Sequence, residues 1–184
     1  MEERVKSDFN ERFVLATIAL CKKSKAIAAK LRRADNPNTE YQSWEFLGSF
    51  GVDLDTDYKR LPFTTIAAAI AKAKIEENGT LRLGDAIVRS YENGKDGKNG
   101  KDSEQAQAKL RRLLACSETP ELCRVLRTLL ALVSSRGFGN LDYIRLLRQI
   151  REFHFDSKKI QSQWAQEFYH SIDNQGQLSG ETQL

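Results

Sequence analysis

From Thr119 to Val133 the apolar residues Leu122, Val125, Leu126, Leu129, Leu130 and Val133 recur at steps of three and four. That spacing puts all of them on one side of a helix, whereas a half-buried strand would alternate. The same period returns in Leu141, Ile144, Leu147 and Ile150, and again in Ile160, Trp164, Phe168 and Ile172. No stretch alternates apolar and polar residues between hairpin turns, so the chain is expected to be all-α, with about eight or nine helices.

The helix boundaries follow from local chemistry. A first helix is expected from about Asp8 to Leu20, with Phe13, Leu15 and Ile18 inward, and Ser24 caps the next. The turn Asp35-Asn36-Pro37-Asn38 stops that second helix, because residues before proline avoid helical geometry. Tyr41, Trp44, Phe46 and Leu47 give a short helix whose aromatics are expected in the core. Pro62 suits the first position of a helix running to Glu77, with Asn78-Gly79 closing it. A further helix spans Leu83 to Tyr91. Asp102 or Ser103 caps the helix through Ala115, Pro120 opens the one after it, and Asp156 or Ser157 caps the last.

Between these helices, residues 92–101 read ENGKDGKNGK, with repeated glycine and nothing to bury. This predicts a mobile loop dividing two small helical bundles packed end to end: 1–91, then a flexible Gly/Lys loop at 92–102, then 103–172. Residues 173–184 form a polar, disordered tail by the same reasoning.

The pentapeptide AKLRR occurs twice, at Ala29 to Arg33 and at Ala108 to Arg112. In each copy the leucine joins an apolar stripe (Ile27, Leu31, Ala34; then Ala106, Leu110, Leu113, Leu114), and the cations take the other side. A helix that buries one face cannot turn freely, so its cations form a fixed ridge that suits a polyanion. The plain alternative is a solvated face, since lysine and arginine are strong helix formers. The formal net charge is only +4, so distribution matters more than excess. No acid lies between Glu11 and Asp35, a span holding Arg12, Lys22, Lys23, Lys25, Lys30, Arg32 and Arg33. Between Glu121 and Glu152, Asp142 alone interrupts Arg124, Arg127, Arg136, Arg145, Arg148 and Arg151.

Catalytic chemistry is hard to place. His154 and His170 have no partner at a metal or relay spacing. Asp53, Asp55 and Asp57 begin like a calcium loop, but Tyr58 stands where glycine is required and Thr64 where glutamate is required. The glycines of the loop lack the offset of a phosphate-binding loop. No catalytic residue, metal or cofactor is therefore expected, and the chain reads as no enzyme. Three cysteines, Cys21, Cys116 and Cys123, cannot all pair within the chain, which points to free thiols in a reducing, cytoplasmic setting. The uncharged run from Leu61 to Ala71 is far below the roughly 20 residues of a membrane span. What remains is a nucleic-acid-binding module, a helical scaffold meeting other proteins through charged surfaces, or a helical DNA-binding regulator. The last should show Asn, Gln or Ser on a recognition helix, where these helices offer Arg and Lys.

Four strings in order, LRRA (31–34), KLRRLL (109–114), NLDYIRLLRQIREF (140–153) and WAQEFY (164–169), resemble the CasB family, the small subunit of the type I-E CRISPR Cascade surveillance complex. The resemblance covers about Phe13 to Tyr169. It implies a two-part helical protein without catalysis, whose copies line a guide-RNA complex and hold the strands of an R-loop on basic surfaces. Partners so implied are single-stranded or R-loop nucleic acid (guide RNA and target DNA), other Cascade subunits and a second copy of the chain, with no membrane. The nucleic-acid-binding positions it implies are Arg32 and Arg33, then Lys109, Arg111 and Arg112, followed by Arg145 and Arg148; Lys30 is added by the spacing of the first ridge, three residues before Arg33. Gln163 and Gln166 depart from the arginines that relatives place beside the last tryptophan.

Overall fold

The computed structural model describes residues 8–92 and 99–171. Nine α-helices follow one another among these residues: α1 (Phe9–Lys23), α2 (Lys25–Leu31), α3 (Trp44–Ser49), α4 (Asp57–Ala73), α5 (Leu83–Arg89), α6 (Glu104–Leu114), α7 (Thr119–Ser135), α8 (Tyr143–Phe153) and α9 (Ser157–Tyr169). Short 3-10 turns precede α3 (Glu40–Ser43) and α6 (Gly100–Asp102). The nearest approach to a sheet among the described residues is one isolated parallel bridge between Leu81 and Leu141. The fold is all-α.

Four helix starts are closed by the side chain before them. Ser24 accepts from the Ile27 amide, Ser103 from Ala106, Asp142 from Arg145 and Asp156 from Lys159. Each satisfies an amide that the first turn leaves without an intrahelical partner.

The core is organised around α4, which is buried without a break from Pro62 to Ala71. Its alanines let neighbouring helices close in on several sides: α7 lies along it most extensively, with α8, α1 and α2 around the rest. α5 packs on α9, and α6 on α5, α7 and α9. Helices before and after residues 93–98 thus contribute to one hydrophobic cluster that includes Phe13, Ile66, Ile87, Leu110, Leu126, Leu147 and Trp164. At the α5–α9 contact, a Cβ on Gly84 would lie 2.5 Å from the Phe168 amide nitrogen, so the closest approach of these helices requires glycine there.

Several boundaries differ from the sequence reading. α4 begins at Asp57, so Pro62 lies inside the helix and cannot donate to the carbonyl four residues earlier. The earlier start has a local cause: the Asp53 carboxylate accepts from the Asp55 and Thr56 amides and from Thr56 Oγ1, turning the chain into the helix. α4 then ends at Ala73, where Lys74 takes a left-handed conformation (φ 53°). Asn78 does not close α4. Its Oδ1 accepts from the Tyr143 and Ile144 amides and its Nδ2 donates to Asp142, tying the segment to the start of α8.

Leu15 is 48% exposed, because Phe13, Val14, Thr17 and Ile18 claim the inner face of α1. Tyr41 and Trp44, three residues apart in a tight turn, also face outward. Phe46 and Leu47 point in, and Phe46 sits 5.5 Å from the Phe13 ring.

The expected mobile loop lies outside the described residues over 93–98, as does the expected tail from 173 onward. Where the chain is next described, Gly100 is pressed against α5. A Cβ there would stand 1.9 Å from the Val88 carbonyl oxygen and 3.2 Å from the Glu92 nitrogen.

Candidate nucleic-acid interface

On α6, Ala106, Leu110 and Leu113 are fully buried, and Ser103 fixes where the helix begins. Arg111 and Arg112 are exposed on the other face, with Lys109 half-buried beside them. None of the three side chains forms a hydrogen bond or ion pair with another described residue. The ridge turns a corner at Cys116, whose sulfur approaches the Arg112 carbonyl at 3.5 Å. Burial and the Glu121 carboxylate push that thiol's pKa up, while Arg112 and Arg124 pull it down.

The first AKLRR copy sits differently. α2 ends at Leu31, so Lys30 is helical and Arg32 and Arg33 enter the following turn. Leu31 and Ala34 are fully buried. Lys30 Nζ meets Glu45 at 3.4 Å, and Arg33 donates to the Gln42 side chain at 3.3 Å. Arg32 is half-buried. Its charge lowers the pKa of the Cys21 thiol, though burial, the larger influence, raises it. These contacts are exposed, and exposed pairs hold their partners weakly.

The arginines of α8 are held by other elements. Arg145 donates from Nε (3.1 Å) and from its terminal nitrogen (2.8 Å) to Glu167 Oε1 on α9. Glu167 is 2% exposed and also accepts from the Gly84 amide at 3.2 Å. Arg148 Nε meets Asp8 at 2.9 Å and holds that carboxyl below its ordinary pKa, with Asn10 adding to the effect. Arg151 donates to Asn10 at 2.6 Å and lays its guanidinium over the Phe63 ring, 5.1 Å from the centroid. Gln163, where an arginine is expected in relatives, accepts instead from Gln149, which in turn accepts from the buried Trp164 indole.

No three His, Cys, Asp or Glu side chains among the described residues gather as a metal site. Asp53 serves the turn before α4 and pairs with Lys59 at 2.9 Å. His154 stacks on Tyr58, ring to ring at 3.7 Å. Cys21, Cys116 and Cys123 are unpaired, and burial pushes the Cys123 pKa up to about 12, which keeps that thiol protonated near neutral pH. Among the described residues no helix is long and apolar enough to cross a membrane.

The family model of CRISPR-associated protein Cse2 matches residues 28–169. The chain belongs to the CasB/Cse2 family of the type I-E CRISPR Cascade. Two solved structures share the fold. The crystal structure of CasB from Thermus thermophilus matches with a TM-score of 0.66 and 21% identity, over 87% of this chain and 97% of that one. The crystal structure of M. ruber CasB gives a TM-score of 0.67 and 20% identity, over 90% of this chain and 94% of that one. No curated protein sequence matches. The family match spans both AKLRR copies and α8, so the three cationic regions compared above belong to the part of the chain that carries the family pattern.

Proposed function

We propose that this Cse2-family chain is a non-catalytic subunit of a type I-E interference complex that holds single-stranded or R-loop nucleic acid by its phosphates. The observation that supports this best is the α6 ridge. Lys109, Arg111 and Arg112 are fixed by a buried helix face and make no ion pair with another described residue. Cations bind phosphates without reading sequence, which suits a strand that must be held whatever its sequence. Lys30, Arg32 and Arg33 add a second, weaker contact region, because Glu45 and Gln42 compete for two of them. Arg145 and Arg148 act first as internal braces in this reading and reach nucleic acid only at the cost of Glu167 and Asp8. Guide RNA, target DNA, other Cascade subunits and a second copy of the chain are the partners this role requires.

The test is the double variant Arg111→Ala/Arg112→Ala, which leaves the buried Leu110 and Leu113 untouched. Binding to unrelated single strands should weaken equally. The slope of log affinity against log salt should shrink by roughly 1.4, about 0.7 for each lost contact. Unchanged affinity and slope, with helicity preserved by circular dichroism, would hand the ridge to a protein partner and favour a scaffold role.

A further inference from the structure

Segments far apart in sequence wall one open cavity of about 600 Å³: the start of α1, the turn at 51–53, the first turns of α4, and the end of α8. A cavity of that volume is large enough for a ligand side chain and its flanks. Phe9, Val52 and Phe63 give it apolar walls, and Phe155 lines it while remaining 79% exposed. Phe155 is held in place by other rings. It meets Tyr58 edge-on at 6.3 Å and His154 at 5.1 Å, and those two stack on each other. A phenylalanine left this open beside a cavity carries the apolar wall out into solvent, and contiguous exposed apolar surface marks an interaction site.

The charges around the cavity resolve into pairs, with one cation left over. Asp53 pairs with Lys59 at 2.9 Å, Arg148 with Asp8 at 2.9 Å and Glu152 with Lys159 at 3.3 Å. Arg151 has no carboxylate partner among the described residues. Its guanidinium lies over the Phe9 and Phe63 rings, 5.7 and 5.1 Å from their centroids, and donates at 2.6 Å to the side-chain oxygen of Asn10. Asn10 is 7% exposed and itself donates to Asp8 at 2.9 Å, which fixes that oxygen toward the arginine. An arginine placed by two rings and one neutral amide keeps its whole charge and most of its N–H donors for a ligand carboxylate. A polyanion fits poorly, because successive phosphates would have to pass Asp53 and Glu152, which line the same cavity.

We propose that this cavity docks a segment of a partner polypeptide that carries an aromatic side chain next to an acidic one. The ring packs against Phe9, Phe63 and Phe155, and the carboxylate meets Arg151. A polypeptide suits the site better than a small molecule, because Phe155 extends the apolar wall beyond what an enclosed ligand would cover. The docking site uses none of the α6 cations and stands independently of the phosphate-holding role.

The test is an NMR titration of the full chain with the capped tetrapeptide acetyl-Gly-Asp-Phe-Gly-amide, carried to low-millimolar concentration so that weak binding registers. The amides of Asn10, Val52 and Phe155 should shift together. Replacing the peptide's aspartate by asparagine should weaken binding roughly tenfold, and so should Arg151→Gln. The two changes combined should cost no more than either alone, the mark of a direct pair. Because Arg151→Gln also removes contacts to α1, Phe155→Ala serves as a second variant at an exposed ring. It should leave helicity and the melting midpoint unchanged and lower affinity roughly fivefold. No shift in the parent, equal binding of the asparagine peptide, or parent-like binding by Phe155→Ala would each overturn the proposal. So would oligo-deoxythymidine that shifts the same amides and displaces the peptide, which would assign the cavity to nucleic acid. The α6 role is read separately from Arg111→Ala/Arg112→Ala, so either reading can fail while the other stands.

Discussion

α6 and α8 are each eleven residues long, amphipathic, and set with cations three residues apart. In sequence they look interchangeable, yet the structure uses them in opposite ways. The cations of α6 are unengaged among the described residues, while Arg145, Arg148 and Arg151 each reach a partner on another element. Those partners lie 22, 140 and 141 residues away in the chain. Helical period identifies the outward face; whether a cation on it is still available depends on acids that no local window contains.

The sharpest way to break this comparison is stability. Arg145→Ala would strand Glu167, which is 2% exposed, with only the Gly84 amide and Gln149 left as donors. Because Arg145 itself is 43% exposed, the expected cost is about 1–3 kcal/mol, below that of a fully buried pair. Arg111→Ala should stay within about 0.5 kcal/mol of the parent. Urea denaturation of both variants settles it, and equal midpoints would mean that α8 is no more braced than α6.

A smaller effect should appear at Arg148. Hydrogen bonds from Arg148 and Asn10 depress the Asp8 pKa in the folded state. The resulting stability is present above the ordinary carboxylate value, near 3.9, and is lost as pH falls through the lower folded value. Arg148→Ala should therefore cost less than about 1 kcal/mol at pH 6, since both side chains are partly exposed, and nothing once Asp8 is protonated in both states. A gap between parent and variant that persists undiminished at the lowest pH would point to lost packing and not to this pair.

The first AKLRR copy offers the mildest test. Glu45, 86% exposed, holds Lys30; Glu45→Gln should release it and raise single-strand affinity by roughly twofold. No change, beside a clear loss from Lys109→Ala, would leave α6 as the sole contributor among the two copies.

Much of the fold is legible in the sequence because helices announce themselves locally. Period marks the stripes of α7, α8 and α9, and Ser24, Ser103 and Asp156 mark starts that the structure places where expected. Pro62 misleads because a proline tolerated inside a helix looks the same as one that begins it, and the decisive residue, Asp53, acts four positions before the helix. Leu15, Tyr41 and Trp44 mislead because hydrophobicity alone does not say which side of a short helix meets the core. Of the candidate site, Lys109, Arg111 and Arg112 lie on the face that the spacing predicts. Arg151 is visible as part of a basic run, but its place over the Phe9 and Phe63 rings depends on how α8 meets α1 and α4.

Gly100 carries a consequence for engineering and for divergence among relatives. Its backbone touches Val88 and approaches Glu92, so the chain leaves α5 and rejoins the fold at nearly the same point. With the two ends held together in this way, lengthening the chain between them should add only about 0.6 kcal/mol for each doubling. A reporter, an affinity tag or a foreign peptide placed between Glu92 and Asn99 is therefore expected to leave the helices in register, with the melting midpoint as the measure. Replacing Gly100 itself, even by alanine, would pull that fastening apart.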